Sequence, residues 1–187
     1  MYVILVAMEK EAEYIKCPNT KIIVTGVGCN NVIHRLCRAI IHGKVSEKDT
    51  FMNIGYAGST CFNIGDVVAV RSVKRLRPDL TVAEDAVPLT FETFNECLYA
   101  PCYTADVFYE GKKAIPLVDM ELYYIKALCN NLISYKIVSD NCSSNEYDNF
   151  NPEKAWHKVN NILNKIINEK KRMLQRSTRV LKFPRFL

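Results

Sequence analysis

Apolar residues in this chain come in short unbroken runs, with polar residues gathered between them. "YVILVA" from Tyr2, "KIIVTGVG" from Lys21 and "TFMNIGYAGS" from Thr50 are apolar over most of their length, the mark of strands covered on both faces. "IGDVVAVRSVKRL" from Ile64 reads as a longer strand, and "CYTADVFYEG", "AIPLVDM" and "YKIVSDN" as shorter ones. Between them lie helical patterns. "MEKEAEYIK" carries acids in its first turn, as the helix dipole favours. "NNVIHRLCRAIIHG" has Asn30 or Asn31 to cap it, Ile33, Leu36, Cys37 and Ile40 along one face, and Gly43 to stop it. "ELYYIKALCNN" predicts another helix. "NPEKAWHKVNNILNKIINEKKRML" predicts a long amphipathic one, with Trp156, Val159, Leu163, Ile166 and Ile167 on or near one face. Residues from Arg77 to Pro101 show no clear period and read as loop-rich.

Strands alternating with helices predict an α/β fold, a three-layer sandwich around a central mixed, largely parallel twisted sheet. With 187 residues the chain suits a single domain, expected over 1–175 with a basic tail over 176–187. No apolar run approaches the ~18 residues of a membrane span. "MYVILVAM" lacks a basic leader and reads as the first strand rather than a signal peptide. The eight cysteines form no C-x-x-C pair and have no histidine at zinc-like spacing. Reduced thiols in a cytoplasmic protein are therefore expected, with no metal and no cofactor.

The net charge of +5 is unevenly placed. From Lys158 onward nine Lys/Arg face one acid, a local charge of +8 that leaves −3 for the rest. A solvated helix face and tail accounts for it. No aromatic-interleaved basic motif of the nucleic-acid modules is present, so neither nucleic acid nor membrane is the expected partner.

In α/β sheets ligands collect at the carboxyl ends of strands. The predicted strands end in Glu9 and Glu11, in Gly26 and Gly28, in Gly55 to Gly58, in Asp119 to Glu121 and in Asp140. Carboxylates gathered along one sheet edge are costly without a task. Taken singly, each has a plain reading: Glu11 as a first-turn acid, Asp140 as a turn residue in "SDN", Gly26 and Gly28 as a strand-to-helix turn.

Six stretches, in order, carry a resemblance. "AMEKEAE", "TGVGCNN", "NIGYAGS", "NIGDVVAV", "VDMELYYIKALC" and "IVSDN" resemble motifs of the purine nucleoside phosphorylase/uridine phosphorylase superfamily. The branch they resemble most is the methylthioadenosine/S-adenosylhomocysteine nucleosidases. The resemblance runs from the first residue to about Phe150, with gaps.

It implies cleavage of the N-glycosidic bond of a purine-type ribonucleoside, through an oxocarbenium-like sugar. Asp140 matches the acid that protonates or hydrogen-bonds purine N7, for which burial can supply a raised pKa. Glu11 matches the base that activates water. Glu121 matches the residue that holds the ribose 2′- and 3′-hydroxyls, and Met120 the one under the sugar. Phe108 falls where the family stacks an aromatic on the base, with Tyr109 in the neighbouring backbone; Asp106 braces that loop. Gly58 and Ala57 line the ligand's approach. Phe150 matches an aromatic near the nucleoside, and a core role explains it as well. The relatives imply a homodimer.

The chain also departs from the family. It is shorter than typical nucleosidases, Tyr56 replaces a small residue, and Arg77 to Pro101 has no good match. A modified-purine or deazapurine ribonucleoside hydrolase, a phosphate-dependent phosphorylase and a non-catalytic binding protein remain as alternatives. The acidic "MEKEAE" would repel phosphate, which favours water as nucleophile.

Overall fold

Tyr2–Val6 forms β1, which pairs in parallel with β2 (Lys21–Val24) on one side and with β3 (Thr50–Gly58) on the other. The structure is a computed structural model. It describes residues 1–77, 81–82, 86–90, 98–111 and 113–180, and for 170, 171 and 173–180 the backbone alone. The remaining strands are β4 (Val67–Leu76), β5 (Val87–Pro88), β6 (Leu98–Ala105), β7 (Val118–Asp119) and β8 (Leu132–Asp140). The helices are α1 (Glu9–Ala12), α2 (Cys29–Ile41), α3 (Leu122–Leu128), α4 (Ser144–Asp148) and α5 (Glu153–Val180).

The sheet is mixed. β3–β8, β4–β6 and β6–β7 are parallel pairs like those of β1, whereas β3–β7, β4–β5 and β4–β8 are antiparallel. β3 and β8 run side by side over their whole lengths, and the register slips between Ala57 and Gly58. That slip places Gly58 opposite Asp140 and brings the ends of three strands together, because Gly58 also pairs with Val118 of β7.

Helices cover both faces of the sheet. Val3, Leu5 and Phe51 point into one core with Val32 and Leu36 of α2 and Leu122 and Ile125 of α3. Their neighbours Ile4, Val6, Met52 and Ile54 point the other way, onto Trp156, Val159, Leu163, Ile166 and Ile167 of α5. Adjacent strand residues facing opposite cores are what continuous apolar runs require. Among the described residues no helix is long and apolar enough to cross a membrane.

Four elements differ from the sequence expectation. α2 buries Val32, Leu36 and Ala39, and leaves Ile33 of the expected face exposed. Its N-cap is Gly28 at φ +83°, not Asn30 or Asn31; the Asn31 amide instead donates to the Val27 carbonyl. β6 begins at Leu98, inside the stretch expected to be loop, because it pairs with β4 from Val68 onward. Within that stretch residues 78–80, 83–85 and 91–97 lie outside the described residues. α4 was not expected at all. α5 runs on to Val180, past Arg176, where a tail was expected to begin.

Candidate active site

The first acid comes from the turn after β1. Met8 has an extended backbone and α1 starts behind it, so Glu11 folds back over the turn. Its Oε2 accepts from the backbone N–H groups of Ala7 and Met8, both at 2.8 Å, and Oε1 from that of Tyr56 at 3.2 Å. Glu11 is thus buried and held in one orientation. Burial pushes its pKa above the ordinary carboxylate value, against the backbone donors and the Lys136 charge.

The second group follows β7. Glu121 sits at the start of α3 and accepts from the Gly28 N–H at 2.7 Å, which ties this carboxylate to the N-terminus of α2. Burial, then the neighbouring Asp119 charge, raises its pKa to about 7, opposed by Lys136 and the Gly28 N–H. Asp119 lies deeper. It accepts from the Thr104 hydroxyl at 2.6 Å and the Leu122 N–H at 3.0 Å, and pairs with the Lys136 ammonium at 2.6 Å. The alternation of a strand read from its sequence gave no reason to expect a buried lysine. Lys136 is 1% exposed, in the middle of β8. Burial pulls its pKa down, but Asp119, Cys102 and Glu121 outweigh that and the net shift is upward.

The third acid ends β8. Asp140 is buried, with Oδ1 accepting from the Cys142 and Ser143 N–H groups (2.8 and 3.3 Å) and Oδ2 from the Ser139 hydroxyl (2.7 Å). Two glycines make room for these carboxylates. A Cβ on Gly58 would stand 2.8 Å from Asp140 Oδ1, and one on Gly55 3.2 Å from Glu11 Oε1 and 3.8 Å from Lys136 Nζ.

Glu11, Glu121, Asp140, Asp119 and Lys136 all line one cavity of about 220 Å³. Met120, Phe108, Tyr109, Ala57 and Gly58 line it too, so the cavity gathers eight of the nine site residues expected from the sequence. Phe150 is the ninth. It stands behind Tyr56, with ring centroids 5.7 Å apart, and borders a separate outer groove. Asp106 braces the Phe108 loop from outside, accepting from the Tyr124 hydroxyl and pairing with Arg75 at 3.1 Å.

Lys136, Met8 and Tyr147 are among the lining residues that the sequence reading does not single out as site residues. Tyr147 projects from α4, edge-on to Phe108 (6.2 Å) and Tyr56 (6.1 Å). Tyr56, the residue that departs from the family pattern, accepts from the Trp156 indole N–H at 2.9 Å. This anchors the wall of the cavity to α5.

Chemically, the cavity offers four carboxylates and one ammonium among apolar walls. That suits a neutral ligand that carries hydroxyls and becomes positively charged as it reacts.

The architecture is an MTAN-like fold. MTAN from Chlamydia trachomatis superposes with a TM-score of 0.70 at 17% identity, covering 90% of this chain and 97% of that one. The 5′-methylthioadenosine/S-adenosylhomocysteine nucleosidase of Helicobacter pylori superposes with 0.68 at 16%, and futalosine hydrolase of the same organism with 0.67 at 18%, at the same coverage. No protein-family model and no curated protein sequence matches the chain.

Proposed function

We propose that this protein hydrolyses the N-glycosidic bond of a purine-type ribonucleoside, releasing the free base and the ribose moiety. The observation that carries the reading is the convergence of three buried carboxylates, Glu11, Glu121 and Asp140, on one cavity from three separate strand ends. The likeness in fold to nucleosidases supports it, and one of those was solved with a compound joining an amino-pyrrolopyrimidine to a hydroxypyrrolidine ring.

In this reading the base lies against Phe108 and Tyr109, the sugar over Met120, and Glu121 accepts from the 2′- and 3′-hydroxyls. As the C1′–N9 bond breaks, its electron pair goes to the base, and N7 takes the proton that Asp140 supplies. Water bonds to C1′ on the opposite face and gives a proton to Glu11. Both acids then reset by exchange with solvent. The raised pKa of Glu11 makes it a better base than an exposed carboxylate. Lys136 holds the surrounding carboxylates together and supplies the site's positive charge next to the water. With a single ammonium among four carboxylates the cavity disfavours a phosphate dianion, so water is the nucleophile.

The active assembly is a homodimer. Val27 and Phe108, both at the cavity mouth, are 44% and 41% exposed, and Val107 beside Phe108 is 65% exposed. Such an apolar rim suits a second subunit.

The test is base release from a panel of purine and deazapurine ribonucleosides, with and without phosphate. Release in phosphate-free buffer is expected. Release only with phosphate, with ribose 1-phosphate formed, overturns the hydrolytic reading; binding without release from any of them leaves a binding protein.

A further inference from the structure

Among the described residues, Tyr147 is the one hydroxyl-bearing side chain of the cavity wall whose donor rests on sulfur. Its O–H donates to the thioether of Met8 at 3.7 Å. A thioether is a weak acceptor. Burial, and then the nearby carboxylates of Glu11, Asp140, Asp148 and Glu121, raise the phenol's pKa, so the proton stays on it at neutral pH. The ring is fixed edge-on between Phe108 and Tyr56. The cavity therefore holds a positioned donor with a poor partner.

In a β-nucleoside the base and the 5′ carbon leave the same face of the ribose. The 2′- and 3′-hydroxyls and the incoming water take the other. Building on the function proposed above, Glu11 and Glu121 occupy the hydroxyl and water face, and Phe108 and Asp140 take the base. The corner formed by Met8, Tyr56 and Tyr147 is then left for the 5′ arm.

We propose that Tyr147 is a specificity-determining residue that reads the 5′ arm, its hydroxyl leaving Met8 to donate to an oxygen acceptor on the substrate. A 5′ oxygen, whether hydroxyl, ether or carbonyl, improves on the sulfur it replaces. A 5′ thioether exchanges one sulfur for another and gains nothing from the switch. A 5′-deoxy nucleoside leaves the donor on Met8. Anionic arms are disfavoured, because the cavity gathers Glu11, Asp119, Glu121 and Asp140 against the one ammonium of Lys136. The preferred substrates are thus ribonucleosides with a neutral, oxygen-bearing 5′ arm.

The experiment compares wild type and Tyr147→Phe on three forms of one purine ribonucleoside: 5′-hydroxyl, 5′-deoxy and 5′-deoxy-5′-methylthio. Phenylalanine keeps the ring contacts and removes the donor. Wild type is expected to favour the 5′-hydroxyl form in kcat/KM by about tenfold over the 5′-deoxy form, as one neutral hydrogen bond allows. In Tyr147→Phe that ratio should fall to near one, with the methylthio-to-deoxy ratio unchanged. An unchanged hydroxyl-to-deoxy ratio in the variant, or a wild-type preference for the methylthio form that the variant abolishes, overturns the proposal. Calorimetric binding of the same three compounds separates the two readings. If wild type binds them without releasing base, the hydrolase reading fails, and the binding ratios alone decide the role of Tyr147. If it binds none, both fall.

Discussion

At the scale of single residues, the two carboxylates assigned to chemistry differ in what surrounds them. Glu11 is held by three backbone donors and Asp140 by two backbone donors and a serine. Glu11→Gln and Asp140→Asn preserve shape, so each should lower kcat by ~10²–10⁴-fold while the protein stays folded. A nucleoside with an activated leaving group should partly rescue Asp140→Asn and leave Glu11→Gln impaired. Steady-state kinetics on the two substrates checks this, and wild-type turnover by Glu11→Gln removes water activation from the mechanism. Lys136 belongs to a different class. Its removal leaves Asp119 buried and unpaired, so Lys136→Met should cost ~3–5 kcal/mol of stability, read by denaturant unfolding. Gly58→Ala should act on Asp140 rather than on stability alone. The new methyl stands 2.8 Å from Oδ1, and a displaced acid can cost ~10²-fold in kcat.

At the scale of elements, β7 and α3 hold a switch in pH. The Glu121 pKa is about 7 in the folded protein, against an ordinary carboxylate value of 4.5. Between these two values the native state binds the proton that the unfolded chain has released. This contribution to stability is therefore full below about pH 4.5 and is lost as the pH rises through about 7. Binding runs the other way, because the ribose hydroxyls need the ionised acceptor. Ligand affinity should thus rise towards pH 8 as thermal stability falls, and Glu121→Gln should flatten both profiles. A melting curve with no such slope in wild type would remove Glu121 from the titration.

The elements themselves were unevenly legible. β1 and β3 announce themselves because strands buried on both faces must be continuously apolar, and α5 because a long helix on one face must alternate. β2 is just as apolar in sequence but lies at the sheet edge with none of its residues fully buried, and β4 is buried mainly over its first half. α4 spans "SNEYD", five residues with no apolar period, so nothing local marks it, and Tyr147 was missed with it. Lys136 was missed for a related reason. Its burial depends on Asp119, which lies on another strand, and a lysine inside "YKIVSD" looks like any solvated strand residue. α2 buries Val32, Leu36 and Ala39 against distant parts of the chain, and its N-cap Gly28 donates to Glu121, a contact 93 residues apart; neither is visible in the local pattern. What local periodicity cannot report is pairing between distant strand ends, such as Glu11 with Tyr56, Glu121 with Gly28 and Asp119 with Lys136, and these pairs bring the separate turns of the site together.

At the scale of the whole molecule, the proposed dimer follows from where apolar surface is left uncovered. Val107, Phe108 and Val27 expose side chains around the cavity mouth, as Ile33 and Ile41 do on α2 and Leu98 and Tyr99 on β6; the first group is the one that adjoins the candidate site. A ligand resting on Phe108 would leave the outer edge of that ring in water unless another surface covers it. A stable dimer buries roughly 1,200–2,000 Å² in total, so these three residues form only the centre of any such contact. Val107→Asp places a charge at that centre without touching the carboxylates. It should shift the protein from dimer to monomer in light scattering at micromolar concentration. It should also raise KM more than it lowers kcat, because the base wall loses its cover while Glu11 and Asp140 remain in place. If the wild-type protein is instead a monomer with full activity at that concentration, the exposed rim serves another purpose and the cavity is complete within one chain.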